Sequence, residues 1–223
     1  MNSASWSPVE RGAFCGAGAD GRLTVWAADR NEPVVCLEAR GRSPAVAQAD
    51  ASDLWAAEWH PSTGPVLADA GVTGCVTVWD LRAPSRSPAA STPVGEELLD
   101  VSWCRYQPAT VAAASTGGDV QIWDMRRAAA PLASLRGHSM AVLAVAFSPW
   151  DSDDVVSCSY DTRTCLWDAG PATASSLQQQ WHSHSEFARD VSWSPLARGT
   201  AASVGWDGIL AVIRPGSGSK PPG

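Results

Sequence analysis

An all-β fold of repeated units is predicted by two regularities in the 223-residue sequence. Trp26, Trp79, Trp123 and Trp167 each close a short apolar run, stand 53, 44 and 44 residues apart, and the last three are followed by Asp. Twenty residues before each stands another run-closing aromatic, Trp6, Trp59, Trp103 and Phe147, and Ile213 has Trp193 at the same interval. Composition alone does not fix one interval five times. The 12 tryptophans, against 3 Phe and 2 Tyr, are therefore a matter of placement. Four-strand units repeating at about 44 residues define a β-propeller, in which each sheet buries its faces against its neighbours and no unit is stable alone.

The elements follow in the same order in each unit. The first aromatic is usually followed by a turn signal, as in Trp6-Ser7-Pro8, Trp59-His60-Pro61, Phe147-Ser148-Pro149 and Trp193-Ser194-Pro195, where Pro ends a central strand. A second run of small and β-branched residues comes next, such as Val155 to Ser159 or Thr200 to Val204, and then a tight polar turn. The third strand alternates into its Trp, as in Leu23-Thr24-Val25-Trp26 and Val120-Gln121-Ile122-Trp123. A fourth strand is more variable. The units are placed at about 1–40, 50–95, 96–135, 136–180 and 181–214 of a single domain, 1–214, with 215–223 as a disordered tail. The stretches 27–52 and 81–95 read as long linkers, the second a Pro-, Ser- and Ala-rich loop that weakens its outer strand. After Ile213, the Pro- and Gly-rich end forms no fourth strand. Seven such units need about 308 residues, so the expectation is five blades of seven, the C-terminal part of a longer parent, in an open or incompletely closed ring.

Charge and motifs narrow the function classes. Sixteen Lys and Arg against 23 Asp and Glu give a net charge of −7, and no basic stripe suits nucleic acid. Apolar runs such as Ala141 to Phe147 are far shorter than the roughly 18 residues a membrane span needs, and no secretory signal pattern opens the chain. The reading is a soluble intracellular protein without membrane insertion. The six cysteines, at 15, 36, 75, 104, 158 and 165, form no C-x-x-C pair and read as buried reduced thiols. There is no G-x-S-x-G, P-loop or H-E-x-x-H motif, so no catalytic residue, cofactor or metal is expected. His182 and His184 lack a nearby acidic or thiol partner for a metal.

The chain resembles the WD-repeat family. Gly137-His138, Trp167-Asp168 and the turn Asp161 stand where that family has its Gly-His, Trp-Asp and aspartate marks. The resemblance implies a buried hydrogen-bonded set of His138, Asp161, Trp167 and either Ser157 or Ser159, repeated by His184, Asp207 and Ser203 with Ile213 in place of Trp. In units two and three the aspartate position holds Thr73 and Gly117 and the histidine position Asp50 and Val94. Losing both partners together is what the cost of half a buried polar network dictates.

Propellers present binding loops at the rim of one face. Six residues before each strand-ending aromatic stand Asp53, Glu97, Ala141 and Phe187, preceded by Ser52, Glu96, Met140 and Glu186. Tyr160 and Trp206 precede the turn aspartates. Four acids, Asp53, Glu96, Glu97 and Glu186, beside Met140 and Phe187, make an acidic mouth with apolar patches. Such a mouth suits a short basic amphipathic peptide.

Within the WD-repeat family, the runs Glu97-Leu98-Leu99-Asp100-Val101-Ser102-Trp103-Cys104-Arg105-Tyr106 and His184-Ser185-Glu186-Phe187 are similar to the peroxisomal import receptors for the type 2 targeting signal. The similarity covers about 97–213 well and 5–80 only generically. It implies a cytosolic receptor that shuttles to the peroxisome matrix. Its partners would be cargo proteins bearing that N-terminal helical signal, and a co-receptor. Asp53, Glu97 and Glu186 would meet the signal's cations, and Phe187, Tyr160 and Trp206 its apolar side. A different class of adaptor is the alternative. Trp79-Asp80-Leu81-Arg82 and Trp123-Asp124-Met125-Arg126 resemble the docking box of WD-repeat substrate receptors for cullin ubiquitin ligases.

Overall fold

A computed structural model describes residues 1–38, 53–83, 87–170 and 176–214. Their strands form five antiparallel sheets in chain order. The first holds β1 (Ser3–Trp6), β2 (Ala13–Ala17), β3 (Arg22–Ala27) and β4 (Val35–Glu38). The second holds β5 (Leu54–Trp59), β6 (Val66–Gly71), β7 (Cys75–Asp80) and β8 (Ala90–Pro93), and the third β9 (Leu98–Trp103), β10 (Thr110–Ser115), β11 (Asp119–Asp124) and β12 (Ala133–Arg136). The fourth holds β13 (Val142–Phe147), β14 (Asp154–Ser159), β15 (Thr164–Asp168) and β16 (Ser176–Trp181). The fifth has three strands among the described residues, β17 (Ala188–Trp193), β18 (Ala201–Gly205) and β19 (Leu210–Ile213). This is an all-β arrangement of five consecutive antiparallel sheets, the blades of the expected propeller.

The first strands, β1, β5, β9, β13 and β17, pack on one another in sequence and are the innermost of each blade. The core is correspondingly divided into four clusters, each shared by two adjacent blades. Alternation explains the division, because successive residues of a strand face opposite sides of its sheet. In β14, Val155 packs toward the third blade and Val156 and Cys158 toward the fifth. From the second blade on, the run-closing residues face the preceding blade, so Trp59 and Trp79 lie with Leu23 and Val25, and Phe147 and Trp167 with Val120 and Ile122. Tryptophan recurs because one large amphipathic side chain fills each wedge and its N–H finds an acceptor there.

The hairpin between second and third strands has one backbone requirement in every blade. One residue after the aspartate position the chain is left-handed, at Gly21, Gly74, Gly118, Thr162 and Gly208. Glycine occupies four of these five places because it adopts positive φ without a Cβ clash. Each of the four inner strands from β5 to β17 also carries a bulge, which leaves Trp55, Leu99, Leu143 and Arg189 outside the ladder.

Two expectations for the outer strands are corrected. Ala90–Pro93 pairs along β7 as β8, so the stretch 81–95 supplies the outer strand it was expected to weaken. Pro93 is tolerated because β8 lies at a sheet edge. The expected linker 27–52 likewise contains β4, paired with β3. The tail 215–223, Asp50 and Ser52 lie outside the described residues. Of the six free thiols, Cys36 is exposed and the other five are buried. Burial pushes Cys15 and Cys165 up to about 12, where no thiolate forms at neutral pH.

Candidate functional site

The His and Asp side chains of the fourth blade form a continuous chain of hydrogen bonds. Asp161 accepts from His138 Nδ1 at 3.0 Å, and His138 Nε2 lies 2.8 Å from Ser157 Oγ. Ser157 Oγ also accepts the Trp167 indole N–H at 2.8 Å. Ser157 is therefore the bridging hydroxyl, while Ser159 bonds the Met140 carbonyl at 3.0 Å. Burial opposes ionisation of Asp161, but His138 and the N–H groups of Ser139 and Arg163 outweigh it and hold this carboxyl well below its usual range. The fifth blade repeats the set, with His184 Nδ1 3.2 Å from Asp207 and Nε2 2.8 Å from Ser203. Backbone N–H groups of Ile209 and Ser185, with His184, lower the Asp207 pKa. His182 faces Gln180 at 3.4 Å rather than joining His184.

Where the set is absent, each indole takes another acceptor. Trp79 donates to Asp69 at 2.5 Å, Trp123 to Gln121 at 3.2 Å and Trp26 to Thr24 at 3.2 Å. Asp69 and Ala113 stand at the Ser157 position, ten residues before the Trp. In the third blade, Val94 and Gly117 leave a cavity of about 500 Å³ lined by Glu96, Asp119, Gln121, Arg136 and His138.

The rim is built by one repeated backbone bond. Val72, Thr116, Tyr160 and Trp206 donate their N–H groups to the carbonyls of Asp53, Glu97, Ala141 and Phe187 at 2.9 to 3.1 Å. The residues just before β5, β9, β13 and β17 thus share one face with the turns that follow the second strands. On that face Tyr160, Phe187 and Trp206 meet edge to face, with ring centroids 4.6 and 5.4 Å apart. Trp206 is 64% exposed and Met140 48%. Glu186 adjoins Phe187 in the chain, and Glu96 lines the third-blade cavity. Glu97 Oε1 accepts the Trp55 indole N–H at 2.6 Å. Asp53 precedes β5 and is partly buried.

Arg82 and Arg126 follow β7 and β11, whose ends pair with the starts of β6 and β10. They therefore lie on the opposite rim from the aromatic cluster. Each is folded onto the aspartate two residues before it, Arg82 on Asp80 at 2.6 Å and Arg126 on Asp124 at 3.1 Å. Both pairs lower the aspartate pKa, first through the arginine side chain's hydrogen bonds.

Sequence reasoning missed the acids between blades, Asp69 buried and Glu58 and Asp100 partly so. Glu58 accepts Trp103 N–H at 2.7 Å and Asp100 accepts Val145 N–H at 2.9 Å. Burial, above all, pushes Glu58 up to about 8 and Asp69 and Asp100 up to about 7. The signal was available as a charged residue at an inner-strand position of an apolar run, which is unusual enough to ask for a partner. Among the described residues no three His, Cys, Asp or Glu side chains gather as a metal site, and no helix is long and apolar enough to cross a membrane.

The family model described as WD domain, G-beta repeat matches residues 129–168, the end of the third blade and most of the fourth. This match and the repeated four-strand sheets support a WD-repeat protein, and WD domains mediate protein–protein interactions. The match supports a protein-interaction scaffold or receptor. No curated protein matches the chain.

Proposed function

We propose that the chain is a non-enzymatic receptor that binds a short basic amphipathic peptide on the rim carrying Tyr160, Phe187 and Trp206. The observation that supports this is the gathering of three aromatic rings, one 64% exposed, beside Glu186 and on the face that also bears Glu96, Glu97 and Asp53. Aromatic surface takes the apolar side of a helical peptide, while the carboxylates select and steer its cations. The similarity of residues 97–213 to import receptors favours the type 2 peroxisomal targeting signal as that peptide, with a cytosolic receptor cycling to the peroxisome matrix.

Fluorescence anisotropy of a labelled type 2 signal peptide tests the reading. Binding is expected, with Glu97→Lys and Trp206→Ala each weakening it at least tenfold, a change of about 1.4 kcal/mol. A peptide whose Arg residues are replaced by Glu should not bind. Equal binding of both peptides, or indifference to both substitutions, would sink the proposal.

The alternative, a cullin-ligase substrate receptor, draws on the recurrence of an Asp-Arg pair at equivalent places in two successive blades. It uses the opposite rim, so the two readings separate cleanly. Co-purification of a ligase adaptor that is lost in Arg82→Ala with Arg126→Ala would favour it.

A further inference from the structure

The third blade holds Val94 and Gly117 where the fourth has His138 and Asp161, and the space so left is the cavity of about 500 Å³. That size falls within the roughly 300–1,000 Å³ of ligand pockets. The cavity belongs to the rim, because Glu96 and Gly117 flank the Thr116 N–H bond to the Glu97 carbonyl that helps to build it.

Two carboxylates line this cavity. Glu96 leans over Gly117 so closely that a Cβ there would collide with its Oε2, so the missing aspartate side chain is what admits Glu96. Asp119 ends a one-way chain of donors. The Trp123 indole donates to Gln121 Oε1 at 3.2 Å, and Gln121 Nε2 donates to Asp119 Oδ2 at 3.1 Å. Ser115 Oγ accepts the Gly117 N–H at 3.1 Å and donates to Asp119 Oδ1. The neutral donors are thus spent on Asp119 and none is left for Glu96. Among the described residues the side chains of Glu96 and Arg136 have no hydrogen-bond or ion-pair partner. His138 is committed to Asp161 and Ser157. Two carboxylates against the one guanidinium of Arg136 leave the cavity one negative charge in excess.

The fourth blade shows what an acid in this hairpin holds. Arg163, two residues after Asp161, places Nη2 2.7 Å and Nε 3.1 Å from Asp161 Oδ2. The corresponding residue of the third blade is Asp119, and the other blades have Arg22, Cys75 and Ile209 there. The third blade therefore keeps an acid at the turn, supplied by Glu96, and has a second acid where the fourth has the guanidinium.

We propose that the third-blade cavity is a guanidinium pocket that seats one arginine side chain of the bound peptide between Glu96 and Asp119. It rests on the reading of this rim as a peptide site, and it names the side chain that the site selects. A planar guanidinium meets two carboxylates through separate N–H groups, which the compact ammonium of lysine does less well.

The probe is capped arginine, N-acetyl-arginine N-methylamide, titrated into the ¹⁵N-labelled chain with the amides of Gly95, Gly117 and Gly118 as readout. These amides should shift saturably, and capped citrulline, which keeps the shape without the charge, should leave them unmoved. Glu96→Gln and Asp119→Asn should each weaken binding about threefold or more, and Arg136→Ala should tighten it about twofold by removing a like charge. Glu96→Gln alters a side chain that no other group holds, so its effect does not depend on folding. The proposal is overturned if capped arginine leaves the three amides unmoved, if citrulline shifts them equally, if Glu96→Gln changes nothing, or if Arg136→Ala abolishes the response. Anisotropy of the labelled peptide separates the two readings. Binding weakened by Trp206→Ala but not by Glu96→Gln sinks the pocket alone, whereas amide shifts with capped arginine and no peptide binding sink the peptide reading alone.

Discussion

Ser157 serves two buried partners at once, accepting from the indole of Trp167 and donating to the ring of His138, whose other nitrogen donates to Asp161. Its replacement by Ala should therefore cost more than one hydrogen bond. Stranding buried polar groups costs about 1–3 kcal/mol each, so Ser157→Ala should lower stability by about 2 kcal/mol or more in urea unfolding. A loss under about 0.5 kcal/mol would show that the network is not stabilising. The acids between blades make the opposite kind of prediction. Glu58, Asp69 and Asp100 have pKa values raised by burial to about 8, 7 and 7. A carboxyl that holds its proton more tightly when folded stabilises fully below about pH 4, and that contribution is lost as pH rises through the folded value. Within that window each such group contributes a fall of at most about 1.4 kcal/mol per pH unit. Asp161 and Asp207, held low, act in the other direction and lose their contribution as pH falls below about 4. Glu58→Gln keeps a carbonyl oxygen for the Trp103 N–H and removes one titration. Unfolding measured between about pH 5 and 8 should show a flatter pH dependence than the unaltered chain. An unchanged slope would mean that Glu58 is ionised in the folded protein.

At the level of elements, the turn after each second strand shows how far local sequence decides structure. Four blades place Gly at the left-handed position and the fourth blade places Thr162 there with φ of 68°. A β-branched residue in that region is strained by roughly 1–2 kcal/mol, partly offset by the lower entropy cost of fixing a non-glycine. Thr162→Gly should raise stability by about 0.5–1 kcal/mol and the melting temperature by about 1–4 °C. A fall would indicate that the Thr162 side chain contributes a compensating contact. The inner three strands were legible because Trp26, Trp79, Trp123 and Trp167 mark strand ends by a fixed interval. The outer strands were not, since β4 and β8 carry little apolar alternation and are set by pairing along β3 and β7. The rim could be located because Asp53, Glu97 and Phe187 keep a constant distance from the inner-strand aromatics. The indole bond from Trp55 to Glu97 could not, because a bulge takes Trp55 out of the alternation.

For the whole molecule, the division of the core into four inter-blade clusters means that each blade is stabilised chiefly by its neighbours. The first and fifth blades have one such neighbour each within the described arc, and both show large apolar side chains on their outward faces. The same architecture gives two rims of different character. One gathers Tyr160, Phe187 and Trp206 beside acidic residues, and the other ends in the Asp80–Arg82 and Asp124–Arg126 pairs. The central claim is that recognition belongs to the first of these. Amide hydrogen exchange with and without saturating type 2 signal peptide tests it most directly. New protection is expected at residues 95–97, 160–162, 185–188 and 206–208, with the segments around Arg82 and Arg126 unchanged. Protection confined to Asp80–Arg82 and Asp124–Arg126, with the aromatic rim exchanging as before, would contradict it.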